Sequence, residues 1–138
     1  GIVGDDTHGH VDDIARFVKS NKVFLAYEDN KKDENFKNLD ENLKILKKIK
    51  IGTSKIKITK IPMPRPIYIN KLRVPASYLN FYIFNKFVLL PTFNDPKDKK
   101  VIEIFKKEFN NRKIIPIDCS ELIWGFGAIH CLTQQEPK

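Results

Sequence analysis

The order of hydrophobic patterns repeats within this chain, and that repeat limits the fold more than any other feature. Ala15-Arg16-Phe17-Val18 and Val23-Phe24-Leu25-Ala26-Tyr27 read as short strands, with Ser20-Asn21-Lys22 as the tight hairpin connection between them. After a polar stretch, Leu39, Leu43 and Leu46 recur at helical spacing on one face. Residues 55–61, Lys-Ile-Lys-Ile-Thr-Lys-Ile, alternate as a half-buried strand does. The same order returns about 60 residues further on. Residues 78–84 read as a strand, Asn85-Lys86 as a two-residue turn, and Phe87-Val88-Leu89-Leu90 as a strand buried on both faces. Asp95 as N-cap and Pro96 at the first helical position open a helix. Val101, Ile104, Phe105 and Phe109 mark its buried face. Residues 113–117 form the closing strand.

One strand-strand-helix-strand unit cannot bury its own faces, so such units stack or circle. The expected class is α/β, with repeats at approximately 14–61 and 78–117. Two units with two irregular ends suggest an incomplete ring. Between the units, Pro62-Met63-Pro64-Arg65-Pro66 and Val74-Pro75 mark a long extended connection. Connections of that kind are often functional or mobile.

The chain has 138 residues and is 41% hydrophobic, which excludes disorder and leaves room for one core. No apolar run approaches the roughly 20 residues of a membrane span, so no membrane partner is expected. The acidic start, Gly1-Ile2-Val3-Gly4-Asp5-Asp6, has no apolar signal core, and a cytoplasmic location is expected. The formal charge is +8, from 25 Lys plus Arg against 17 Asp plus Glu. The cations are nearly all Lys and are mixed with acids, as in Lys31-Lys32-Asp33-Glu34. Such mixing suits a solvated face better than a phosphate track, and bidentate base contacts favour Arg. A basic, non-catalytic nucleic-acid-binding module is therefore the remote alternative.

Chemistry can sit near each end. In Thr7-His8-Gly9-His10-Val11-Asp12-Asp13, His10 is a candidate acid/base. In an extended chain Asp12 projects to the same side as His10 while Val11 points away. Spacing alone favours a polar turn over a cleft. The second place is Trp124-Gly125-Phe126-Gly127-Ala128-Ile129-His130-Cys131-Leu132-Thr133-Gln134-Gln135. Its glycines permit close approach of a ligand, and Cys131 after a Gly-rich turn is a candidate exposed nucleophile. A buried Cys in a short strand is the plainer reading, and Cys119, directly after an apolar strand, fits it better. Two cysteines make neither a disulfide framework nor a zinc knuckle. A metal site from His8, His10, His130 and Cys131 is conceivable but poorly supported by spacing.

Both ends together resemble the agmatine deiminases and bacterial peptidylarginine deiminases. Gly9-His10-Val11-Asp12-Asp13-Ile14-Ala15-Arg16-Phe17 resembles their Gly-His-x-Asp segment. Residues 127–137, Gly-Ala-Ile-His-Cys-Leu-Thr-Gln-Gln-Glu-Pro, resemble their catalytic-cysteine segment. Ala76-Ser77-Tyr78-Leu79-Asn80 through Leu90-Pro91 and Asp98 resembles the region before that cysteine. The resemblance implies part of a pentein, a pseudo-five-fold β/α-propeller of strand-strand-helix-strand repeats. It implies Cys131 as nucleophile, His10 as general acid/base, and Asp12 as both a catalytic residue and the grip on the guanidinium. Gly127 would line the substrate, and no metal or organic cofactor is called for.

The implied reaction is hydrolysis of agmatine to N-carbamoylputrescine and ammonia, in putrescine biosynthesis; the alternative is citrullination of peptidyl-arginine. Members of the family are well over twice this long. Residues 1–138 are thus expected to be the C-terminal portion of one catalytic domain, with the catalytic-cysteine segment at 124–137. The missing N-terminal part would be its partner, and the chain alone would be inactive. Assembly into a homo-oligomer is compatible with all of this.

Overall fold

Two hairpins, each followed by a helix and a returning parallel strand, organise the chain. In the computed structural model, residues 1–5 and 9–136 are described. Thr7 and His8, singled out above, lie outside them, as does Pro137 at the end of the cysteine segment. The elements are β1 (Ala15–Lys19), β2 (Lys22–Tyr27), α1 (Phe36–Leu46), β3 (Lys50–Ile51), β4 (Ser54–Lys55) and β5 (Lys57–Pro62). They continue with β6 (Tyr68–Ile69), β7 (Leu72–Arg73), β8 (Tyr82–Ile83), β9 (Phe87–Thr92), α2 (Asp98–Glu108) and β10 (Lys113–Asp118).

In the first unit β1 pairs antiparallel with β2, and β2 pairs parallel with β5. In the second, β8 is antiparallel to β9 and β9 parallel to β10. Each parallel pair needs a crossover, which α1 and α2 supply. The chain thus carries the expected α/β strand-strand-helix-strand arrangement twice. Leu39 and Leu43 are buried beneath α1, as are Val101 and Phe105 beneath α2. Among the described residues no helix is long and apolar enough to cross a membrane.

The units share one core. Phe24 of β2 meets Phe105 of α2 edge to face at 5.0 Å, and Phe81 meets Phe105 at the same separation. Phe109 completes the cluster, 6.1 Å from Phe24. Edge-to-face contact sets a ring's positive edge against a negative face, adding to the gain from burial. At the rim, Lys19 and Lys22 of the first hairpin both pair with Glu108 of α2. Burial raises the Glu108 pKa, but the two lysines outweigh it and hold the carboxyl below its usual range.

Four expectations change on folding. Residues 78–81 form no strand, although Tyr78, Leu79, Asn80 and Phe81 are all buried. Several of their backbone groups find side chains instead of a ladder. Arg16 Nη1 donates to the carbonyls of Leu79 (3.1 Å) and Phe81 (3.0 Å), and Ser77 Oγ accepts from the Leu79 N–H (3.2 Å). The second change is at 55–61, which is divided between β4, paired with β3, and β5, paired with β2. Third, the proline-rich connection is a strap tied to the core. It folds into the β6–β7 hairpin over Asn70 and Lys71, both at positive φ. Arg65 pairs with Asp95 (3.1 Å), and buried Arg73 pairs with Asp33 (2.9 Å). Fourth, helix α2 begins at Asp98 with Lys97 as its N-cap, so Asp95 and Pro96 stand ahead of the helix and not at the cap and first helical positions expected. Asp95 nonetheless accepts from the Lys97 N–H (2.8 Å), and Asp98 accepts in return from the Asp95 N–H (3.1 Å).

Candidate active site

The segment before β1 is not extended. Residues Val11–Asp13 form one turn of 3-10 helix, with extended His10 as its N-cap. The period-two argument for His10 and Asp12 therefore fails locally, yet a tight turn also gathers them. Ligand atoms of His10, Asp12 and Asp13 all lie within 4.8 Å of one another. Val11 points out, 68% exposed, and Asp13 is turned inward and buried. The His10 backbone N–H donates to Asp5 Oδ2 at 2.6 Å.

Asn80 joins this turn to the cysteine segment. Its Oδ1 accepts from the backbone N–H groups of Ala128 (3.1 Å), His130 (2.9 Å) and Cys131 (3.2 Å). Its Nδ2 lies 3.0 Å from Cys131 Sγ, 3.0 Å from Asp13 Oδ1 and 3.3 Å from Asp12 Oδ2. A carboxamide offers both an acceptor and two donors, so one buried side chain shapes the loop and addresses the thiol. Ser77 adds a second tie, donating from Oγ to the Asp13 carbonyl at 2.8 Å.

Asp12 reaches Cys131 directly, with Oδ2 3.6 Å from Sγ across 119 positions of sequence. The same oxygen takes His130 Nδ1 at 2.7 Å. Gly127 has a steric reason to be glycine. A Cβ there would stand 2.7 Å from the Cys131 Cβ and 3.0 Å from Sγ. The two cysteines differ as the flanking residues suggest, with Cys119 buried and Cys131 exposed.

Electrostatics follow from this packing. Burial alone would raise the Asp12 pKa, but the hydrogen bond and charge of His130 prevail and keep it below the usual value. Asp13 goes the other way. Burial, then the neighbouring Asp12 charge, pushes its carboxyl up to about 7, even though Asn80 opposes the shift. The Cys131 thiol is also raised, by burial first and by Asp12 and Asp13, against the donors Asn80 and Ala128. Cys119 is pushed up to about 11, mainly by burial. Arg16, stacked 4.5 Å over the Phe81 ring, places a cation among Asp12, Asp13 and Cys131.

The structure thus brings Asp12, Cys131 and Gly127 together, with His10 joined to them through Asp12. It adds Asn80, His130, Asp13 and Arg16. Asn80 stands in a segment that carried the family resemblance, and His130 and Asp13 flank assigned positions, but no local spacing signalled their contacts. His10, Asp12 and Asp13 are the described residues that could gather around a cation. The conceivable set of His8, His10, His130 and Cys131 includes a residue outside those described, and His130 is engaged with Asp12. An open cavity of about 430 Å³ adjoins the site, lined by Val11, Asp12, Arg16, Phe17 and His130 among others.

Residues 1–137 match the family described as Porphyromonas-type peptidyl-arginine deiminase. A provisionally named agmatine deiminase from Legionella pneumophila is 36% identical over 140 residues, covering 100% of this chain and 40% of its own length. A crystal structure of a provisionally named arginine deiminase from Porphyromonas gingivalis superposes with a TM-score of 0.97 at 32% identity, covering 100% of this chain and 41% of that one. A C. jejuni agmatine deiminase with a Cys-to-Ser substitution and substrate bound gives a TM-score of 0.82 at 28% identity, over 94% of this chain and 38% of that one. The chain thus spans about two fifths of the length of the curated relatives it matches.

Proposed function

The chain belongs to the Porphyromonas-type peptidyl-arginine deiminase family, and from that premise we propose that it carries the nucleophile side of a site that hydrolyses the guanidinium of agmatine. The observation that carries this reading is the Asp12 carboxylate beside the Cys131 thiol, 3.6 Å apart and bridged by Asn80. A guanidinium carbon is a poor electrophile, because three nitrogens share its charge. It must be held flat next to a thiolate. The planar N–H fork matches a carboxylate, and Asp12, kept ionised by His130, fills that role. Gly127 lets the chain pass close to the reacting sulfur.

In the free protein the raised thiol pKa keeps Cys131 largely protonated at neutral pH. A bound cation reverses the balance set by Asp12 and Asp13 and favours the thiolate. Sγ then attacks the guanidinium carbon, forming a C–S bond. One C–N bond breaks, and His10 gives its proton to the departing ammonia. His10 next takes a proton from water, whose oxygen attacks the S-amidino carbon. The C–S bond breaks as the new hydroxyl loses its proton to solvent, releasing N-carbamoylputrescine and the Cys131 thiolate. The scheme uses no metal or organic cofactor. A role in putrescine formation and a cytoplasmic location belong to the same proposal.

Because the chain spans about two fifths of its relatives' length, and the cavity beside Asp12 is open, we propose that residues 1–138 alone turn over slowly or not at all. The family's description supports a second reading, citrullination of peptidyl-arginine. Ammonia release from agmatine and from an arginine-containing peptide, compared in the full gene product, separates the two. Release from neither substrate, with Cys131 intact, rejects both.

A further inference from the structure

The contact between His130 and Asp12 is unlike the others in the site. His130 directly precedes the thiol, is half-buried, and puts Nδ1 2.7 Å from Asp12 Oδ2 across 118 positions of sequence. An ionised carboxylate can only accept, so Nδ1 carries the hydrogen. The backbone N–H of the same residue is held at 2.9 Å by Asn80 Oδ1 and at 3.0 Å by the Asn80 carbonyl. The imidazole therefore leaves a fixed base of backbone. His130, Asn80 and Sγ all meet Asp12 on the single oxygen Oδ2, which fixes the rotation of the carboxylate about its last bond.

We propose that His130 is a positioning residue that sets the plane in which Asp12 receives a cationic amidine or guanidine, and so sets affinity. It exchanges no proton with the substrate. The inference rests on the deiminase reading above. A planar fork makes two hydrogen bonds to a carboxylate only when the two planes coincide. A carboxylate free to rotate keeps its charge but loses that match. His130 thus acts on binding, while proton transfer stays with His10.

The test uses His130→Ala and His130→Asn in the full gene product. The asparagine amide nitrogen can reach the place of Nδ1, so it restores the donor without an imidazole. Two readouts are taken. One is the rate of Cys131 labelling by cationic 2-chloroacetamidine relative to neutral iodoacetamide. The other is the division of any loss in agmatine turnover between KM and kcat. His130→Ala should lower the cationic-to-neutral labelling ratio and raise KM, each about tenfold, as expected for one hydrogen bond to a charged group. His130→Asn should recover most of both. Equal behaviour of the two variants, or a loss confined to kcat, overturns the inference. Failure of the deiminase reading is separate. It appears in the unsubstituted protein as absent turnover with no preference for the amidine reagent.

Discussion

Replacing Asn80 by Asp isolates what the carboxamide does for the thiol from what it does for the loop. The substitution keeps Oδ1, the acceptor for Ala128, His130 and Cys131, and removes the Nδ2 donor 3.0 Å from Sγ. A carboxylate then faces the sulfur and joins Asp12 and Asp13. Two unit charges at about 4 Å interact by about 4 kcal/mol at an effective dielectric near 20. Cys131 is exposed, so screening leaves about 1–3 kcal/mol, or one to two pKa units on top of the existing rise. Iodoacetamide labelling of Cys131, followed by mass spectrometry between pH 7 and 11, reads this directly. Below the thiol pKa, labelling should slow by about tenfold to a hundredfold, and the curves should converge at high pH. Asn80→Ala is the comparison. It leaves the Ala128 and Cys131 N–H groups without their acceptor, at about 1–3 kcal/mol each, and should unfold at lower urea. Superposable labelling curves for Asn80→Asp and the parent, with unchanged unfolding, would refute the reasoning. They would mean that the new carboxyl is protonated and still donates to sulfur.

The buried aromatic cluster predicts that Phe105→Ala lowers stability by about 3–5 kcal/mol in urea unfolding, because Phe24, Phe81 and Phe109 all lose a partner. Between pH 8 and 9 an alkylating reagent should label Cys131 and spare Cys119, which is buried and raised to about 11; equal labelling of the folded protein would contradict the assignment. Gly127→Ala should slow Cys131 labelling at least about tenfold, since a Cβ at 2.7 Å from the Cys131 Cβ must displace the thiol or its loop. Asp13 carries a folded-state pKa of about 7, above the roughly 3.9 of an unfolded chain. The unfolded state therefore releases the proton first, and the stability that protonated Asp13 contributes is complete below pH about 4 and lost by about 7. Asp13→Asn should flatten the fall in urea midpoint across that window, and an unchanged slope would discount the shift.

Much of the fold was legible because its signals are local. The short apolar runs at β1 and β2, the helical spacing of Leu39, Leu43 and Leu46, and the two-residue turn before β9 each depend on a few adjacent residues. The errors fall where distant groups took over. Residues 78–81 have strand composition, but Arg16 and Ser77 satisfy part of their backbone, so a continued ladder was not needed. Residues 11–13 formed a tight turn that places Asp13 against Asn80, 67 positions away. The proline-rich strap looked free because its restraints, Asp33 and Asp95, lie outside it.

The sequence by itself determined the two strand-strand-helix-strand units, the buried faces of both helices, and the candidacy of His10, Asp12 and Cys131. Periodicity and residue chemistry are written in neighbouring positions, and the family motifs are short and contiguous. Only the tertiary structure decided that Asn80 holds the cysteine loop, that His130 grips Asp12, and that Asp13 and Cys131 are pushed up together. Those properties depend on burial and on separations of 2.7 to 3.6 Å between residues 48 to 119 positions apart. Such distances come into being when the two units close on Phe24, Phe81 and Phe105.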